Sequence, residues 1–108
     1  MKSNRKPTEK EIRLIKHLIG NHSICLSEHW ESELLVSDMD DGGMGSLVLY
    51  PQLNSENREF GKQVSEYQFL DKDNVLVIAT LYVDKQNCLY ELDIWKVDYS
   101  PLLSLPDI

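Results

Sequence analysis

The sequence predicts an α+β fold: one N-terminal helix packed across an antiparallel sheet, a meander of about five strands. Three observations predict it. "PTEKEIRLIKHLIG" carries a helix start, an apolar face at helical spacing and a stop. From residue 33 onward the chain turns to short alternating or β-branched runs. Those runs are separated mostly by short polar turns, which make successive strands antiparallel neighbours.

In the helix, Thr8 is placed to cap and Glu11 stands three residues later, the pattern of a capping box. Pro7 discourages an earlier start. Ile12, Ile15, Leu18 and Ile19 form one apolar face, and Gly20-Asn21 is the stop. A helix of about three turns is marginal alone, so it must dock. Residues 22–33, "HSICLSEHWESE", fit either a helical turn or an irregular crossing over the core.

The first strand is "ELLVSD", followed by a glycine turn and "SLVLY". "NSENRE" is a polar connection. In "GKQVSEYQFLD", Gln63, Ser65, Tyr67 and Phe69 share one face, and Val64, Glu66, Gln68 and Leu70 the other. "DKDN" (Asp71–Asn74) and "DKQN" (Asp84–Asn87) are hairpin loops around "VLVIATLYVD", a β-branched run suited to a central position. "CLYELDIWKVD" is the last strand. Leu89, Glu91, Asp93, Trp95 and Val97 lie on one side of it, Tyr90, Leu92, Ile94 and Lys96 on the other. The tail "YSPLLSLPDI" has two prolines and cannot continue as a central strand.

The 108 residues, 42% hydrophobic and 27% charged, suit one folded domain over 1–108 with a modest core. Residues 1–6 read as a flexible basic arm. Residues 1–16 hold six basic and two acidic side chains, net +4; the remainder holds five and sixteen, net −11. An acidic body repels phosphate backbones, which argues against nucleic acid and for a basic protein partner. The start lacks the apolar stretch of a signal peptide, and the longest apolar run, Val75–Val83, is too short for a membrane helix. The reading is a cytoplasmic protein without a membrane contact. Cys25 and Cys88 form no CxxC pair and read as reduced thiols, with a disulfide left open.

The stretch most like a site is "DMDDGGMGS", Asp38–Ser46, with three carboxylates and three glycines. An EF-hand loop starting at Asp38 would have Gly42 at its fifth position and Leu49 at its twelfth, so two ligands are missing. The glycines lead into a strand and carry acids where a phosphate would approach, which excludes a dinucleotide fingerprint. A glycine turn, a protein-contact loop using the acids and Met44, and a looser cation site on Asp38, Asp40 and Asp41 remain. In "ELDIWKVDYS", Asp93 shares a face with Glu91 and Trp95, an acid pair or simply a polar strand face. Asp98 and Tyr99 follow. His17, His22 and His29 lack zinc spacing, and no nucleophile elbow is present.

"RKPTEKEIRLIKHLI", "DMDDGGMGS" and "LYELDIWKVDYSPL" together resemble a family of small bacterial domains of unknown function. The resemblance spans most of the chain and implies no activity. In size and charge the chain is also similar to immunity proteins that neutralise a toxin. The expectation is a non-enzymatic acidic binding protein, without cofactor or metal, that masks a basic partner such as a cognate toxin. Its binding residues would be Asp38, Asp40, Asp41, Met44, Asp93, Trp95, Asp98 and Tyr99. The alternatives are a small ligand- or metal-binding domain or enzyme using the glycine loop and last strand, and a homodimeric accessory module.

Overall fold

The computed structural model describes residues 3–51 and 58–108. Helix α1 spans Glu9–Ile19, a short α2 spans Trp30–Glu33, and five strands follow: β1 Leu35–Asp38, β2 Leu47–Tyr50, β3 Phe60–Leu70, β4 Leu76–Asp84 and β5 Leu89–Lys96. The strands form one antiparallel sheet, so the α+β architecture holds.

The strand order corrects the meander. It is β1-β2-β5-β4-β3, not sequential. Tight turns join β3 to β4 and β4 to β5, but residues 51–59 between β2 and β3 are too many to force neighbours. The chain therefore carries β3 to the far edge, and β5 takes the middle place expected for β4. Most of the expected connection "NSENRE" lies outside the described residues.

Helix α1 forms for the local reasons its sequence gives. The Glu11 amide donates to Thr8 Oγ1 at 3.2 Å, and the Thr8 amide donates to Glu11 Oε1 at 2.8 Å, closing the capping box. The helix docks on β3 and β4. Leu14, Ile15, Leu18 and Ile19 are buried, while Ile12 is half-buried, so the apolar face is centred nearer Leu14 than expected. Against it lie Val77, Ala79, Leu81, Leu92 and Ile94, which the cross-strand register places on one sheet face. Leu102 and Leu105 of the tail add to this core.

Register shifts break the pairing at three places, at Gly61 and Val64 in β3 and beside Tyr90 in β5. In β3, Gln63 pairs with Tyr82 and Ser65 with Leu81, so Val64 is an extra residue and packs on the core. In β5, Glu91 pairs with Tyr82 but Leu89 with Val83, which sends Leu89 into the core and off the face of Glu91.

Both hairpin turns use the same construction. Asn74 and Asn87 take the left-handed conformation, with φ of 64° and 68°, which asparagine tolerates well. Each turn opens on a buried aspartate that accepts a backbone amide of its own turn: Asp71 from Lys72 at 2.7 Å, Asp84 from Gln86 at 2.9 Å. Within the expected flexible arm, Arg5 is fixed. It exchanges backbone hydrogen bonds with Val36 at 2.7 and 2.8 Å, adding a bridge outside β1. No helix among the described residues is long and apolar enough to cross a membrane.

Candidate functional site

The glycine loop links β1 to β2 as a closed turn. The Met39 amide donates to Ser46 O at 3.0 Å. Asp41 turns inward and accepts from the amides of Met44 at 3.2 Å and Ser46 at 2.9 Å. Gly42, Gly43 and Gly45 all have positive φ, from 73° to 100°. Gly43 meets the tail: a Cβ there would stand 3.3 Å from Pro101 Cβ, and Gly43 O accepts from the Leu102 amide at 3.0 Å. Ser46 is buried beside β5. Its Oγ accepts from the Ile94 amide at 2.8 Å, and its proton lies between Ile94 O at 3.2 Å and Asp93 Oδ1 at 3.3 Å.

The far side of this junction is Lys96. Its backbone amide donates to Met44 Sδ at 3.4 Å. Its ammonium is buried and spends its three donors on Asp71 at 2.8 Å, Asp73 at 2.8 Å and Pro101 O at 3.2 Å. Burial alone would push the lysine's pKa down; the bonds to Asp71 and Asp73 outweigh it and hold the pKa above its usual value. Asp71 is buried too, which would raise its pKa. Hydrogen bonds from the Leu103 amide, the Lys96 ammonium and the Lys72 amide prevail and hold it down at about 2. Leu103 and Ser104 donate to Asp71 at 2.8 and 3.1 Å, so this one carboxylate fastens the tail to the hairpin.

Arg5 ties the start of the chain to the same loop. Its guanidinium donates to Asp38 at 2.8 and 3.0 Å and to Glu11 at 2.9 Å through two nitrogens. Asp38, then Glu11, raise its pKa further and keep it charged. The three sequence motifs are thus one connected network, Arg5–Asp38, then Gly43, Met44 and Ser46, then Lys96 and the tail. Asp38, Asp41 and Met44 are members of that network, and Asp40 is exposed at its edge. The loop acids do not converge as ligands: among the described residues no group of three His, Cys, Asp or Glu side chains is placed to hold a metal ion.

Of the other expected residues, Asp93 and Trp95 lie on the sheet face opposite α1, and Asp98 and Tyr99 follow just past the end of β5. Register pairs Ile78 with Trp95, Thr80 with Asp93 and Tyr82 with Glu91 across β4 and β5, and Glu66 with Thr80 across β3 and β4. Trp95 is 40% exposed and Tyr99 71%, with ring centroids 6.1 Å apart. Tyr99 is held with φ of 65° just past the strand, its amide donating to Lys96 O at 2.9 Å. Asp98 accepts from the Ser100 hydroxyl at 2.6 Å and amide at 3.0 Å, which lowers its pKa.

Carboxylates crowd this face. Burial, then Asp93, Glu91 and Glu66, raise the pKa of Tyr82. Burial and Asp93 likewise raise that of Glu91. Like charges held beside a half-buried phenol make the ionised forms of Tyr82 and Glu91 harder to reach. Sequence reasoning missed Tyr82 and Glu66 because their meeting with Glu91 and Asp93 depends on the bulged cross-strand register of β3, β4 and β5. It also missed Lys96, although a lysine in register with Leu92 and Ile94 was a signal for a buried, paired cation. Arg58 is a further buried cation, stacked over Tyr50 at 5.5 Å and Tyr90 at 4.9 Å and donating to Tyr90 O at 3.2 Å.

Searches of the curated proteins and of the solved structures gave no match to this chain. A family does match, over nearly the whole chain and across all three motifs. With residues 4–106 matched, the chain belongs to the family described as Domain of unknown function (DUF6984).

Proposed function

We propose that this chain is a non-enzymatic, acidic protein-binding domain, and that its binding surface is the sheet face opposite α1. The observation that carries the reading is the cluster of Glu66, Glu91 and Asp93 around Tyr82, next to the exposed pair Trp95 and Tyr99. Such a face suits a basic partner. Long-range attraction to the acidic body speeds encounter, and the aromatic rings supply buried anchors. A lysine or arginine from the partner would meet the carboxylates and relieve their mutual repulsion. Asp98 stands at the rim beside Tyr99, where it adds charge without being desolvated. Asp38, Asp40, Asp41 and Met44 contribute field or framework in this reading rather than direct contact.

The specific role we favour is immunity-type: the chain masks a basic toxin domain by covering it. Calorimetric titration against the basic proteins encoded beside its gene tests this, at about 50 and 300 mM salt. The expected result is one tight partner whose affinity falls with salt and collapses in Trp95→Ala and in Asp93→Lys. No binding to any of them would remove the immunity role. Binding that survives both substitutions would remove the assignment of the face.

A further inference from the structure

We infer that Cys25 and Cys88 are a redox pair that closes to an intramolecular disulfide on exposure to a small-molecule disulfide oxidant. The residues are 63 positions apart in neither a turn nor a common strand, yet they face each other as an isolated parallel bridge. The crossing segment is held there at Cys25 itself and at Ser23. The Cys25 amide donates to Asn87 O at 2.9 Å, and Asn87 Nδ2 donates to Ser23 O at 2.6 Å. Bridged backbones lie about 4.8 Å apart, and disulfides span Cα separations of about 4.4–6.8 Å, so the bond needs no large backbone movement. Both thiols are free, and Cys88 Sγ lies 3.8 Å from Gln86 O in the turn that precedes it.

The environments of the two sulfurs assign their roles. Cys25 is exposed and can meet an oxidant, whereas Cys88 is only 3% exposed. Burial, then Cys25, pushes the Cys88 thiol up to about 11, so it does not react with reagents in solution. Cys25 loses its proton to water and attacks one sulfur of the oxidant RSSR. A Cys25–S–S–R bond forms, and RS⁻ leaves and takes up a proton. Cys88, on the residue bridged to Cys25, then attacks the Cys25 sulfur as its own proton departs. The Cys25–Cys88 bond forms and a second RSH leaves. The chain loses two electrons and two protons, and one RSSR becomes two RSH. The product fastens the crossing segment to the β4–β5 turn and fixes one wall of the narrow apolar cleft lined by Cys25, Leu26, Trp30, Leu34, Pro51 and Leu89.

The test equilibrates the full chain in a series of reduced to oxidised glutathione ratios, quenches with acid and an alkylating agent, and measures intact mass and non-reduced peptides. The expected product is a monomer lighter by about 2 Da, containing a Cys25–Cys88 cross-linked peptide, with two alkylatable thiols restored by reductant. Its thermal midpoint should rise by roughly 10 °C, because the bond closes a long loop. Cys25→Ser should resist oxidation, and Cys88→Ala should stop at the Cys25 mixed disulfide. Should Cys88→Ala fail to fold, the wild-type product alone decides. Two free thiols under fully oxidising conditions, a Cys25–glutathione adduct as the end product, or an interchain dimer would each overturn the inference.

Discussion

Gly42→Ala and Gly43→Ala make a matched pair, because the two residues share a backbone conformation and differ in what they face. Their φ values are 73° and 83°. An alanine pays about 1 kcal/mol or slightly more to hold such a left-handed conformation. At Gly42 nothing lies within 4 Å of the added Cβ, so that strain is the whole effect. At Gly43 the new methyl sits 3.3 Å from Pro101 Cβ. Pro101 has little freedom to withdraw. Its carbonyl accepts from Lys96, and the next residues donate to Gly43 O and Asp71. Losing the Leu102 bond adds about 1 kcal/mol. Gly42→Ala should therefore cost about 1 kcal/mol and Gly43→Ala about 2–3 kcal/mol. For a chain of this length those losses are midpoint drops of roughly 5 °C and roughly 10–15 °C. Thermal melts followed by circular dichroism, with urea midpoints as a check, read the difference. Equal losses would refute the docking of the tail on the loop.

Three further outcomes follow from the same geometry. Asp71 has its pKa lowered from 3.8 to about 2 on folding, so its contribution to stability is complete above pH 4 and lost as pH falls toward 2. Asp71→Asn should flatten that part of the stability–pH curve, and an unchanged acid limb would count against the Lys96 junction. Calorimetric titration with calcium, magnesium, manganese and zinc should be flat, since Asp38 and Asp41 already hold Arg5 and two backbone amides; saturable binding lost in Asp40→Asn plus Asp41→Asn would revive a cation site. Glu91 is less willing to ionise in the folded chain, so Glu91→Gln should stabilise the free protein at neutral pH by a few tenths of a kcal/mol, about the size of a partly exposed charge pair. The same change should weaken partner binding, the trade-off expected of a residue kept for contact rather than for folding.

What was legible in the sequence was what is decided locally. The Thr8–Glu11 box, the helix stop and both asparagine turns depend on residues a few positions apart, and all are where the sequence places them. Strand order was not legible, because β2 chooses β5 through contacts more than 40 residues distant in sequence. Cross-strand register was not legible either. The register within the β3–β4–β5 hairpins, shifted by its bulges, brought Glu66, Tyr82, Glu91 and Asp93 to one face. The acids of "DMDDGGMGS" looked like ligands because composition cannot distinguish a carboxylate that binds something else from one that caps its own loop. Asp41 is the second kind. Lys96 carries the opposite lesson: its register with Leu92 and Ile94 is plain in the sequence, but burying it requires partners that only the fold supplies.

The central claim is that the acidic, aromatic face opposite α1 is the contact surface. Amide chemical-shift mapping of the isotope-labelled chain, titrated with the basic protein that binds it in calorimetry, tests this most directly. The largest shifts should fall at Ile78, Thr80, Tyr82, Glu91, Asp93, Trp95 and Tyr99, while those of α1 stay in place. Shifts concentrated on α1, or on the loop from Asp38 to Ser46, with β4 and β5 unmoved, would contradict it.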